Sequence, residues 1–274
     1  MPTSPNKQWS TEVEKGEGLS SQDGSYGLEI VPLQRGDLWK VSQSWIRAFK
    51  DDPFLEYLRA DAPRPPEWRE RTAYTTAFAL WLNTDKVMLT IDGVALLLVN
   101  KPGRRSQIDV GFDNLGGFAL AFNDGVKTKE QLKRMREAQA KIAPAMDSAI
   151  PPSEREKMYY IDGIGTDPAY QGHGFGSMLL QAITERADEE SRSCWLASSN
   201  VANDGFYNSH GFFAAVSFFV GDENPECSKK PVLLQIMVRK PAMKADQTPS
   251  RVDCNGALKA RIAFSTPFRL RLQR

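Results

Sequence analysis

The sequence predicts a mixed α/β protein, and three observations carry that prediction. Met158 to Thr166 is rich in β-branched and aromatic residues, as a strand requires, and runs into a glycine-rich turn. From Phe175 the apolar residues fall at Phe175, Met178, Leu179, Ala182 and Ile183, the i, i+3, i+4, i+7, i+8 spacing of a helix with one buried face. Upstream, Asp92-Gly93 lies between two apolar runs, a strong hairpin signal. A strand, a glycine loop and a helix N-terminus in succession also make a ready anion site. Glycine lets backbone approach closely, and the free N–H groups and helix dipole favour negative charge.

Taken in order, residues 1–24 are rich in Ser, Gly, Lys and Glu and read as a disordered segment. Tyr26 to Leu33 reads as a first strand. A helix starts at Asp37, with Leu38, Val41, Trp45, Ile46 and Phe49 as its apolar stripe, and ends near Asp51-Asp52-Pro53, since the residue before proline disfavours helix. Pro65-Pro66 precedes a second helix, Glu67 to Asn83. Val87 to Thr90 and Val94 to Asn100 are the hairpin strands. Within residues 101–156, Leu132, Met135, Gln139, Ile142, Ala143 and Met146 share one face of an amphipathic helix, with Lys and Arg on the other. That helix either covers the sheet or a substrate mouth, or lies on a membrane surface; acids mixed among its cations favour the first. After the glycine loop and its helix come a strand (Ser193 to Ser199), a short helix (Asn200 to Asn208) and two strands (Phe212 to Val220 and Pro231 to Arg239). Residues 241–274 hold Pro, Ser, Thr and basic residues and read as a flexible basic tail. The domain itself is then 25–240.

Composition removes several function classes. The 274 residues can bury a sizeable core. Lys plus Arg number 35 against 34 for Asp plus Glu, so no bulk field steers the chain to nucleic acid or membrane. Cys194, Cys227 and Cys254 lack metal-ligand spacing and there are two histidines, so no metal is expected. The N-terminus has no apolar core of a secretory signal, and no apolar run reaches the length of a membrane span. The expectation is a soluble cytoplasmic protein with reduced thiols, the nucleus being the other compartment open to it.

Two common glycine loops fail. Counting from Gly165, a phosphate-binding GxxxxGK[S/T] loop meets Tyr170 at its sixth position; counting from Gly172, a dinucleotide GxGxxG meets Ser177. What remains is Gln171-Gly172-His173-Gly174-Phe175-Gly176, of the form QxxGxG. With Pro168 before the turn, this resembles the (Q/R)xxGx(G/A) motif of the GNAT superfamily of acyl-CoA-dependent N-acetyltransferases. Downstream, Asn200 to Phe212 resembles the family's N..A..FY...GF segment, with Asn203 where the family usually has Ala. The short run AFKDDPF also resembles the first helix of a GNAT branch near the puromycin acetyltransferases. The resemblance implies a mixed, mostly antiparallel sheet of about six to seven strands flanked by helices, with a splayed strand pair holding the coenzyme.

It also implies acetyl transfer from acetyl-CoA to an amine. Ile164, Gly165, Thr166, Gln171, Gly172, His173, Gly174, Phe175, Gly176 and Asn200 are the residues that would bind the coenzyme, with the Ile164 N–H polarising the thioester carbonyl. Tyr207 matches the family tyrosine that protonates the departing thiolate, a role a phenol of similar basicity suits; packing in the core is the other reading of its ring. Asp162, two residues from Ile164 and so expected on the same face, is either the general base or a carboxylate that pairs with a cation or binds the substrate ammonium. A relay through water would need no side-chain base. Gly163 and Gly165 either allow a bulge that parts the strands or serve close packing against a helix. Asn200 would bond the pantetheine arm, cap the following helix, or both. His173 lies in the phosphate loop, and His210 reads as a surface or capping residue. A small-molecule amine is the expected acceptor, with no nucleic acid and no membrane as partner. A protein or peptide acetyltransferase and a non-catalytic acyl-CoA-binding protein are the alternatives.

Overall fold

The computed structural model describes residues 29–61, 63–123, 127–223 and 230–242. The segment read as disordered, 1–24, lies outside them, as does all of the basic tail beyond residue 242; Cys227 and Cys254 fall outside too. Strands β1 (Ile30–Pro32), β2 (Val87–Ile91), β3 (Ala95–Asn100), β4 (Tyr159–Thr166), β5 (Cys194–Ser198), β6 (Phe213–Val220) and β7 (Val232–Arg239) form one sheet in the order β1-β2-β3-β4-β5-β7-β6. Every neighbouring pair is antiparallel except β4–β5, which is parallel. The hairpin between β2 and β3 turns on Asp92 and Gly93, both at positive φ, with Val94 N–H donating to Ile91 O at 3.0 Å across the turn.

The helices are α1 (Leu38–Ala48), α2 (Pro53–Arg59), α3 (Glu67–Trp81), α4 (Gln107–Asn123), α5 (Lys129–Ala149), α6 (Pro152–Arg155), α7 (Phe175–Glu189) and α8 (Asp204–Ser209). α7 covers one face of the sheet, burying Leu179, Leu180 and Ile183 against Leu97, Val99, Ile161 and Leu196. α1 and α3 cover the other face over β2 and β3, through Val41 and Phe78 against Met88, Leu96 and Leu98. Beside them α2 and α5 pack on β6 and β7, through Tyr57 and Ala138 against Val220 and Leu234. No helix among the described residues is long and apolar enough to cross a membrane.

Two elements depart from the sequence reading. The helix ending near Asp51-Asp52-Pro53 is followed at once by another: Asp52 accepts from Leu55 N–H at 2.9 Å and caps α2, with Pro53 at its first position. On α5, the expected stripe of Leu132, Met135, Gln139, Ile142, Ala143 and Met146 is packed only in part: Ile142 and Met146 lie against the core, while Gln139 and Ala143 are exposed. Gln131, Arg134, Ala138 and Ala145 are buried instead, while Leu132 is exposed. The reading had placed every cation outward. Arg134, at 0% exposure, donates to Ala60 O at 2.7 Å and to Asp61 Oδ2 at 2.5 Å, and ties α5 to the end of α2. Paired and hydrogen-bonded, a buried guanidinium is tolerated where an unpaired one would not be.

Gly163 and Gly165 serve close packing. A Cβ on Gly163 would lie 2.6 Å from the Trp45 ring, and one on Gly165 2.8 Å from Phe49, so α1 rests directly on the β4 backbone. Gly163→Ala should therefore destabilise the fold by about 1–3 kcal/mol, read as a lower urea midpoint at unchanged slope. Gly172→Ala is the control: nothing lies within 4 Å there, although φ is +80°, so the cost should stay near ~1 kcal/mol. Equal losses at the two positions would mean that α1 yields to the extra methyl.

Candidate active site

The site begins with a break in the sheet. β4 and β5 pair at Tyr159–Cys194, Tyr160–Trp195 and Ile161–Leu196 and no further, although β4 runs on to Thr166 and β5 to Ser198. The β3 register slips at the same place, passing from Val99–Ile161 to Leu98–Gly163 and leaving Asp162 as the extra residue of a bulge. Asp162 is exposed in the middle strand of a seven-stranded sheet, and so is Ala197 on β5. Two central strands that stop pairing while both run on leave a slot between them.

The bulge also overturns one expectation. Ile161 and Ile164 both pack in the α7 core, whereas Asp162 lies on the opposite face, where it forms an ion pair with Lys86. Asp162 therefore does not share a face with Ile164, because the bulge shifts the alternation by one. Lys86 is 1% exposed, stands 4.5 Å above the Trp81 ring and lies 3.4 Å from Asp113 Oδ1. Arg105 donates to Asp113 at 2.6 Å and completes the network. Pairing with a cation is thus the geometry Asp162 has here.

At one end of the slot lies the glycine loop. Gly172 (φ +80°) and Gly174 (φ +82°) are left-handed with open space around them. Phe175, buried in the core, anchors the first turn of α7. Among the described residues, no carbonyl accepts from the N–H groups of 172–177. Gln171 Nε2 donates to Thr166 O at 3.2 Å and ties the loop to the strand end. His173 donates from Nδ1 to the carbonyls of Tyr170 and Gln171, at 3.2 and 3.0 Å, which orients its ring beside Phe175. A Cβ on Gly176 would meet the Phe206 ring at 3.5 Å, so the loop touches the second motif.

The second motif supplies the far wall. Asn200 Oδ1 accepts from Ala202 N–H at 3.0 Å and caps the 3₁₀ turn Val201–Asn203. Asn203, the departure from the family pattern, is exposed, and its side chain caps nothing at the α8 start. His210 Nδ1 donates to Phe206 O at 2.7 Å and closes the C-terminus of α8. Tyr207 is 8% exposed, with its ring between Phe206 and Phe212. Burial, and then the charge of Asp52, push its hydroxyl up to about 12. It is a packed aromatic and also a phenol that keeps its proton at neutral pH.

Asp52 is the residue the sequence reading did not single out. Its Oδ2 accepts from Ser199 Oγ at 2.6 Å, joining the α1–α2 junction to the end of β5 across 147 residues. The local signal was there, an acid before Pro53 in the N-cap position, but its partner is distant in sequence. Asp52, Ser199, Asn200 and Tyr207 thus meet at the mouth of the slot. A carboxylate, a hydroxyl and a protonated phenol can between them accept, relay and donate a proton.

Residues 138–212 match the model of the Acetyltransferase (GNAT) family. No curated protein matches the chain by sequence. Among solved structures, arylalkylamine N-acetyltransferase 2 from Aedes aegypti superposes with a TM-score of 0.51 at 13% identity, covering 78% of this chain and 99% of its own. A histone acetyltransferase HPA2 and related acetyltransferase from Corynebacterium glutamicum gives 0.48 at 17%, covering 80% and 99%. The polyamine N-acetyltransferase of Drosophila melanogaster gives 0.48 at 11%, covering 78% and 99%. Residues 138–212 are thus similar to the GNAT family, and the mixed, mostly antiparallel seven-stranded sheet matches GNAT acetyltransferase folds.

The tyrosines of this region fix an alkaline limit on stability. Burial and the bond to Glu190 raise Tyr159 to about 12; Tyr207 stands at about 12; burial and the Asp162 charge raise Tyr160 too. In the unfolded chain each ionises near ~10. Between those values the unfolded state has released protons that the folded state still holds, so stability falls as pH rises. Burial raises the Cys194 thiol to about 12 as well, so denaturation midpoints should begin to fall above about pH 9 and drop more steeply from pH 10.5 to 11.5, with the phenolate absorbance of these three tyrosines appearing only on unfolding. Phenolate absorbance from these tyrosines in the folded protein below pH 11 would contradict the assignment.

Proposed function

We propose that this protein is an N-acetyltransferase that moves the acetyl group of acetyl-CoA to the amine of a small molecule by direct attack. The observation that carries the reading is the conjunction at one place of a parted β4–β5 pair, a glycine loop with bare N–H groups, and the Asp52–Ser199 hydrogen bond. The coenzyme is a substrate here, and the loop suits it: the N–H groups of 172–177 sit at the start of α7, where a pyrophosphate is favoured. Gln171, Gly172, His173, Gly174, Phe175 and Gly176 would cradle the phosphates. Ile164, Gly165 and Thr166 would offer strand backbone to the pantetheine arm, with Asn200 opposite. The acyl group would then lie near the bulge at Asp162.

Asp52 replaces Asp162 as the candidate base, because Asp162 is engaged with Lys86 and Asp52 sits at the mouth. The ammonium of the acceptor loses a proton to Ser199 Oγ as Ser199 passes its own to Asp52. The amine nitrogen then bonds to the thioester carbonyl carbon, whose oxygen takes up negative charge and is stabilised by a backbone N–H. As the C–S bond breaks, the thiolate takes the Tyr207 proton, and the nitrogen, left cationic by its attack, gives its second proton to the Tyr207 phenolate, so that the amide leaves neutral and the phenol is restored. At rest the phenol is held above an ordinary thiol, but protonation of Asp52 removes one of the charges that holds it there.

Thiol release from acetyl-CoA against a panel of amines and peptides tests the reading. Gly174→Leu forces a branched side chain into a left-handed backbone at the loop. It should lower acetyl-CoA affinity by about 10²-fold or more while the circular dichroism stays unchanged. Unaltered affinity in calorimetry would remove the loop assignment.

The proton roles are tested by conservative variants. Asp52→Asn keeps the α2 cap, and Tyr207→Phe keeps the ring packing. Each should lower kcat by roughly 10²-fold or more with acetyl-CoA affinity retained. Wild-type turnover in either variant would return that residue to a structural part.

A further inference from the structure

We infer that the acceptor is an amine carried on an apolar, aromatic body rather than a polyamine or a guanidinium-bearing diamine. The inference rests on the acetyltransferase reading above and concerns the cavity beside Ser199 and Asn200. That cavity measures about 410 Å³, within the range of small-molecule sites. Tyr57, Val201, Phe219 and Leu233 supply much of its wall, with Pro53 and Pro231 at its edges. Phe219 and Val201 leave about half of their surface uncovered, at 49% and 51%. Exposed large apolar side chains that converge on one concavity mark a surface that an apolar ligand covers.

The charge count points the same way. Among the described residues, Glu56 and Lys230 are the charged side chains of the lining, one of each sign. Glu56 already faces Arg64 at 3.6 Å. Asp52, next to the cavity, is occupied by the α2 cap and by Ser199. A polycation would need further carboxylates for its second and third charges, and burying them unpaired is costly. One amine suffices to reach the Asp52–Ser199 pair, and the rest of the molecule meets rings and aliphatic chains.

The wall is held rigid. Tyr57 donates its hydroxyl to Glu137 Oε2 at 2.7 Å, and Glu137 Oε1 accepts from Gly221 N–H at 2.7 Å. A Cβ on Gly221 would come within 2.7 Å of the Tyr57 ring, and its φ of +83° is one glycine adopts readily. The slot therefore has a fixed aromatic side and selects by shape as well as polarity.

The experiment compares kcat/KM for 2-phenylethylamine, agmatine, spermidine and a short peptide, with wild type and with Phe219→Asp. The expected result is a preference of at least about tenfold for phenylethylamine over the three others, and its collapse in Phe219→Asp while the KM for acetyl-CoA holds. Greater activity on agmatine, spermidine or the peptide overturns the inference and leaves the acetyltransferase reading standing. So does a phenylethylamine preference that Phe219→Asp leaves intact. If no amine releases thiol although acetyl-CoA binds, the acetyltransferase reading itself fails, and this inference with it.

Discussion

The parting of β4 from β5 after Ile161–Leu196 is the constraint on which the rest of the molecule depends. A sheet opened between two central strands exposes backbone N–H and C=O groups that would cost about 1–3 kcal/mol each if buried without partners. Every flanking element helps to hold that opening without closing it. The bulge at Asp162 turns the strand, and α1 rests its aromatic rings on Gly163 and Gly165. On the other edge β5 stays fully paired with β7 through Ser198–Gln235, so the opening does not unravel the sheet. The slot is a fixed gap between two well-anchored halves.

The charges nearby divide into two kinds of work. Lys86, Asp162, Asp113 and Arg105 form a chain of ion pairs on the α1 face, with Lys86 over the Trp81 ring. Breaking such a set by removing one member leaves an uncompensated charge and costs about 3–5 kcal/mol. Asp52 is different: it stands at a helix start, bonded to one neutral hydroxyl, and it acts electrostatically on Tyr207. A carboxylate without a buried cation against it is the better placed to exchange protons with a ligand.

Much of this was legible locally. Asp92-Gly93 needed only its own two residues, and the QGHGFG loop only the strand before it and the apolar stripe after it. The short-range rules that govern those features act within a few residues, so a sequence displays them. Asp52 and Ser199 were not legible as a pair, because nothing in a sequence states that positions 147 apart will bond. The face of Asp162 was misread for a related reason: one bulged residue inverts strand alternation, and its cause lies in the neighbouring strand. The stripe on α5 was misread because apolarity was taken to mean burial, whereas Arg134 is buried by its partners Ala60 and Asp61. α4 gave no periodic signal: it carries Gly111, Gly116 and Gly117, and leaves Ile108, Leu115 and Phe118 exposed.

The clasp of α5 on α2 has a consequence for how the molecule breathes. Arg134 grips the end of α2 at Ala60 and Asp61, and Glu137 grips Tyr57 in its middle, so two turns of one helix hold a helix of seven residues. A helix that short has little stability of its own. Its amides therefore exchange with solvent only when α5 lifts away, and the two helices form a single opening unit. Asp52 is the cap of that short helix. The span between β3 and β4, an apparent appendage to the sheet, thus sets how long the carboxylate at the mouth stays in place.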